Sequence, residues 1–155
     1  MGRSVLHTSL CEFLGIEYPI LLAGMGSRGA ATPPPLVAAV SNAGGLGVLG
    51  GASLTPEQIR DRIQEIRSLT AKPFGVDLLL PASLTEVQET RSSVRQRLQR
   101  EFPKHVAFVR DLMRQFDLPD IQVEEETLLS PKHIQAQVEV VLEERIPVFA
   151  AGLGD

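Results

Sequence analysis

Pro19-Ile20-Leu21-Leu22-Ala23-Gly24-Met25-Gly26 is a short apolar run that stops in glycine. It lacks the polar–apolar alternation of a strand with one wet face. It therefore predicts a strand buried on both faces, as in a parallel sheet covered by helices. The small residues at its carboxyl end leave the backbone open, so a large flat ligand has room to lie against it. The same pattern returns in Leu46-Gly47-Val48-Leu49-Gly50-Gly51 and in Val148-Phe149-Ala150-Ala151-Gly152.

Helical signals fill the gaps between these runs. Thr32-Pro33 reads as an N-cap followed by a favoured first helical residue, with Leu36, Val37 and Val40 on one face. Ser41-Asn42-Ala43-Gly44-Gly45 closes that helix, and a second strand at about Leu46 to Leu49 follows at once. Thr55 and Gln58 stand at capping-box spacing before Ile59, Ile63, Ile66 and Leu69, the apolar stripe of a second helix. Lys72-Pro73 ends it and opens a third strand, Phe74 to Leu80, which Pro81 stops. Strand starts near positions 19, 46 and 73 give a period of about 27 residues, the cadence of an α/β protein with parallel strands.

The cadence breaks over residues 82–129, which read as a helical insertion and connector within a single domain spanning 1–155. Two helical stretches, Thr85 to Phe102 and His105 to Phe116, carry arginines interleaved with glutamates, the pattern of a solvated face. An acidic connector with Glu124-Glu125-Glu126 follows. Ser130-Pro131 then caps another helix with Ile134, Val138, Val141 and Leu142 as its stripe, and Arg145-Ile146-Pro147 turns into the last strand. The chain stops in the glycine turn after that strand, so it reads as ending in the middle of a strand-helix unit. About four parallel strands are expected; periodicity alone leaves both an open doubly wound sheet and part of a barrel available.

The bulk chemistry narrows the partners. Nineteen acidic and 15 basic residues, mixed along the chain, give a net charge of -4 and no nucleic-acid or polybasic membrane footprint. No apolar stretch approaches membrane-spanning length, and the single cysteine, Cys11, excludes an internal disulfide. A cytoplasmic protein acting on small molecules is the expectation. His7, His105 and His133 lie away from the strand ends with no Cys, Asp or His at ligand spacing, so no metal site is expected. No nucleophile motif is present, and no catalytic residue is assigned. Gly45-Leu46-Gly47-Val48-Leu49-Gly50 has the letters of a dinucleotide fingerprint, but it follows a helix and contains the strand, the reverse of what that motif needs. Asp77 stands out as the one charge in a run that should be buried; it needs partners from the protein or from a ligand, and both roles are open.

Four blocks in order carry a resemblance: Pro19 to Met25, Val37-Ala38-Ala39-Val40-Ser41-Asn42-Ala43-Gly44-Gly45-Leu46-Gly47, Lys72 to Leu78, and Ile146-Pro147-Val148-Phe149 with its glycine turn. Together they resemble the N-terminal half of nitronate monooxygenases, formerly 2-nitropropane dioxygenases, from about Cys11 to Asp155. The resemblance implies an FMN enzyme on a TIM-type (β/α)₈ barrel that oxidises alkyl nitronates with dioxygen to a carbonyl compound and nitrite. It implies that Ala23, Gly24 and Met25 contact the flavin ring and that Asp77 occupies the position of an asparagine bonded to the cofactor. Two departures stand out: Gly24 replaces a proline common before the methionine, and Asp77 replaces an amide donor with an acceptor. The family's catalytic histidine and phosphate loops belong to later strands, so this chain is expected to be an incomplete, catalytically incompetent half, delivering roughly four strands of eight. Its protein partner would be a C-terminal half-barrel or a second copy. A non-catalytic split or degenerate barrel fragment, and a flavin-dependent enoyl reductase, are the alternatives.

Overall fold

The computed structural model describes residues 6–25, 32–81, 91–119 and 130–154. The chain divides into two compact units, Met1–Ser83 with Pro131–Asp155, and Leu84–Ser130.

The first unit contains α1 (Ser9–Leu14), α2 (Pro34–Asn42), β1 (Gly47–Gly50), α3 (Pro56–Leu69), β2 (Phe74–Leu79), α6 (Pro131–Glu143) and β3 (Val148–Gly152). The second contains α4 (Arg91–Glu101) and α5 (Pro103–Gln115). The three strands form one parallel sheet in the order β1-β2-β3. This is the α/β architecture expected from the spacing of the apolar runs.

Side-chain alternation sorts the sheet residues into two clusters. Leu49, Val76 and Leu78 are buried with Val37 of α2, Ile59, Ile63 and Ile66 of α3, and Val140 and Val141 of α6. Each of those three isoleucines is 0% exposed, a burial that contributes roughly 1.5–3 kcal/mol per side chain. Val48 points the other way, into a smaller cluster with Cys11, Ile16 and Leu46 on which Val148 packs. Cys11, 1% exposed, is packing.

Local signals explain the helix ends. Thr55 and Gln58 close a reciprocal capping box on α3, and Gly15 takes φ 69 to end α1. Ser41 Oγ accepts from the Gly47 amide at 3.1 Å, tying the end of α2 to the start of β1. On the far side, Arg60, Gln64 and Arg67 of α3 converge on Glu144, just past α6, while Arg60 also reaches Glu143.

Two expectations are corrected. The run at Pro19 does not form a strand: it makes one parallel bridge, Leu21 to Leu46, and Ile20 and Leu21 are 61% and 48% exposed. The sheet thus has three strands and a bridge in place of four strands among the described residues. The run pairs on one side only, and four residues beyond the bridge, at Met25, its backbone bonds a side chain in place of the β1 ladder, as described below. In α6 the buried face is Ile134, Gln137, Val140 and Val141, and Leu142 is 70% exposed. In the second unit the described part of the first helix is Arg91–Glu101, and the expected start at Thr85 lies outside the described residues.

Within that second unit α4 and α5 flank an open groove of about 1080 Å³, lined by Leu98, Phe102, Val106, Val109 and Met113 among others. Phe102 and His105 meet edge to face at 5.9 Å, and no residue of α5 is buried.

Candidate functional site

The candidate site forms where the glycine end of the first apolar run meets the carboxyl end of β1. Gly50 pairs with Asp77, and Asp77 with Ala150, so the three stand in one row across the sheet. Their neighbours Val76 and Leu78 are buried in the α2–α3–α6 cluster, which places Asp77 on the opposite face.

Two glycines let the backbone close over this row. A Cβ on Gly50 would strike the backbone of Met25, its N at 2.8 Å and its O at 2.9 Å. A Cβ on Gly24 would lie 2.6 Å from the Asp77 Cβ, 3.1 Å from Oδ2 and 3.2 Å from the Gly50 Cα. Real carbon atoms do not approach so closely, so both positions require glycine for space.

Thr32 fixes this approach. It is 0% exposed; its hydroxyl donates to the Met25 carbonyl at 3.0 Å and accepts from the amides of Met25 at 3.3 Å and Gly50 at 3.1 Å. One hydroxyl thus replaces the ladder that would otherwise join the first run to β1. The expected capping role is corrected: the N-cap of α2 is Pro33, with no side-chain cap bond. The signal was in the sequence. A capping hydroxyl accepts from the N–H of the second or third helical residue, and with Thr32 as cap those are Pro34 and Pro35, which have none.

Asp77 is half-buried, and among the described residues its carboxylate has no hydrogen-bond or ion-pair partner. Burial raises its pKa above the ordinary 3.8. That shift favours the protonated form, in which a carboxyl group can donate as well as accept. Ala23 is exposed, and the Met25 side chain is 52% exposed. The structure therefore joins Gly24, Met25 and Asp77 at one place, with Ala23 at its border. The surface they offer is backbone and the exposed Met25, with one acidic group at its edge.

The histidines lie elsewhere: His7 is 3.9 Å from Glu12, His105 is in α5 and His133 in α6. Among the described residues no group of three or more His, Cys, Asp or Glu converges to hold a metal ion. No helix among them is long and apolar enough to cross a membrane.

The family model for nitronate monooxygenase matches residues 7–113. A probable nitronate monooxygenase of Staphylococcus aureus is 45% identical over 73 residues, which are 47% of this chain and 20% of that protein. FabK from Thermotoga maritima superposes with TM-score 0.60 at 29% identity over 97% of this chain and 32% of its own. A nitroalkane oxidase from Streptomyces ansochromogenes gives TM-score 0.61 at 22% identity, over 93% and 36%, a likeness of fold. The chain spans about a third of the length of those two structures. On the match over residues 7–113, the chain belongs to the nitronate monooxygenase family.

Proposed function

We propose that this chain forms the first-strand side of the flavin pocket of an FMN-dependent oxidoreductase that converts alkyl nitronates to carbonyl compounds and nitrite. The observation that carries this reading is the meeting of Gly24, Gly50 and Asp77 at the end of β1. Ala23 and Met25 are exposed and Gly24 has no side chain of its own, so the outer edge of this backbone would suit a planar ring, and Asp77 beside it would bond the ring's polar edge. When bound, FMN would supply the redox chemistry, passing electrons from the nitronate to dioxygen. This chain's residues would bind and orient the ring, and Thr32 would keep the Met25 backbone from moving into its space.

In this reading the parallel strands belong to the wall of a TIM-type barrel, with ligand at the carboxyl ends, and residues 82–129 are an insertion outside its repeat. The phosphate contacts and the general base would come from outside these 155 residues, from a C-terminal half-barrel; a second copy would supply further wall alone. The setting is cytoplasmic.

The test is to titrate the chain with FMN, alone and mixed with a polypeptide carrying the later strands of a nitronate monooxygenase barrel, and to assay nitrite release from a nitronate. Flavin binding and nitrite release only in the mixture support the proposal. No flavin binding in either sample overturns it in favour of a non-catalytic barrel fragment; flavin binding without nitrite release would favour an enoyl reductase.

A further inference from the structure

Gln137 is the one polar residue of the buried α6 face, and it is 0% exposed. Its Nε2 donates to three main-chain carbonyls of the β1–α3 loop: Leu54 at 2.7 Å, Gly51 at 3.2 Å and Ala52 at 3.4 Å. The carboxamide has only one workable orientation, since the reverse would set Oε1 against three acceptors. Its Oε1 is buried and has no hydrogen-bond partner among the described residues.

That unused acceptor bears on the residue's role. A buried amide with half its capacity unmet is a poor source of stability, because an apolar side chain of the same shape would avoid the desolvation cost. What the amide provides is geometry: it draws three carbonyls of one loop to one point. Gly51 links that point to the site, because its own amide donates to the Asp77 carbonyl at 2.8 Å while its carbonyl is held by Gln137. Gly50, the residue under Met25, is next in the chain.

We infer that Gln137 is a positioning residue for the ligand pocket, setting the course of residues 50–54 from α6 and so the fit of Gly50 against Met25 and Asp77. This rests on the flavin reading of the site. It adds a residue with no contact to the ligand, more than 80 positions away in sequence from the loop it controls.

The experiment compares Gln137→Met with Val141→Ala, a core change on the same helix that leaves the carboxamide in place. Hydrogen exchange on the chain itself comes first. In Gln137→Met the amides of residues 51–54 should exchange about tenfold faster while those of Ile59–Leu69 are unchanged; an unaltered loop, or equal loosening of α3, overturns the inference. FMN affinity and the bound-flavin absorption spectrum are then measured in the mixture with the later barrel strands. Gln137→Met should weaken binding by about tenfold or more and shift the spectrum, whereas Val141→Ala lowers Tm without either effect. A loop that loosens with no change in flavin binding also overturns the positioning role. Absence of flavin binding by the wild-type mixture sinks the functional reading instead, and the exchange result still shows whether Gln137 governs the loop.

Discussion

Gly24 and Asp77 touch across the end of β1: a Cβ on Gly24 would sit 2.6 Å from the Asp77 Cβ and 3.2 Å from the Gly50 Cα. Contact this close makes the first run part of the site even though it is not a strand of the sheet. Gly24→Ala should destabilise the chain by about 1–3 kcal/mol, the usual cost of overpacking. Combined with Asp77→Gly, which removes one of the two obstacles, the loss should fall short of the sum of the single changes. Chemical denaturation of the four species measures the cycle, and strict additivity would mean that the two residues do not meet.

Thr32 allows a cleaner test, because valine copies its shape without the hydroxyl. Thr32→Val leaves the buried amide of Gly50 and the part-buried amide of Met25 without their acceptor, at a cost of about 1–3 kcal/mol. Thr32→Ser keeps the hydroxyl and should lose only roughly 0.8 kcal/mol for the methyl. If serine fails as badly as valine in thermal melts, packing of the methyl and not the hydroxyl holds the run in place.

Much of the sheet and its helical layer was legible because local and long-range signals agree there. Thr55 and Gln58 cap α3 by residues three apart, and Ile59, Ile63 and Ile66 repeat at helical spacing, so short-range rules suffice. The first run was misread because its apolar content matches a buried strand, whereas its fate depends on a second neighbour for Leu21 and on the pull of Thr32 at Met25. Gln137 was invisible for a related reason: hydrophobic patterning assigns an amide to the wet face, and only the carbonyls of a loop more than 80 residues earlier make the buried face its place. Asp77 stood out in the sequence because a lone charge in an apolar run breaks the pattern, and its place on the sheet face opposite the buried Val76 and Leu78 follows from strand alternation.

Glu144 gathers Arg60, Gln64 and Arg67 while its own side chain is 10% exposed; Glu143, which pairs with Arg60 alone, is 62% exposed. Glu144→Gln should therefore lower Tm by roughly 2–4 °C at low salt. Glu143→Gln should shift it far less, because exposed pairs are screened and cost side-chain entropy. Melts at low and high salt separate the cases: the gap between the two variants should narrow as salt rises, and equal effects at all salt concentrations would make the cluster incidental.

Asp77 ties stability to pH in a direction opposite to that of most carboxylates. Its folded-state pKa is raised by burial above the ordinary 3.8, so between the two values the native chain binds more protons than the unfolded one. Stability from this group is fully present below pH 3.8, falls as pH rises through the folded-state value, and stays at its lower level above it. Asp77→Asn removes the titration and keeps the shape. Relative to the wild-type chain, the variant should gain stability as pH is raised from 3 towards 7, and it should hold FMN at least as well at neutral pH, since the amide donates without needing a proton. Asp77→Ala, which keeps neither donor nor acceptor, should hold it less well. Paired melts across that pH range and flavin titrations at pH 7 decide the matter: a difference between wild type and Asp77→Asn that does not vary with pH, or equal flavin binding by Asp77→Ala and Asp77→Asn, would remove Asp77 from the site.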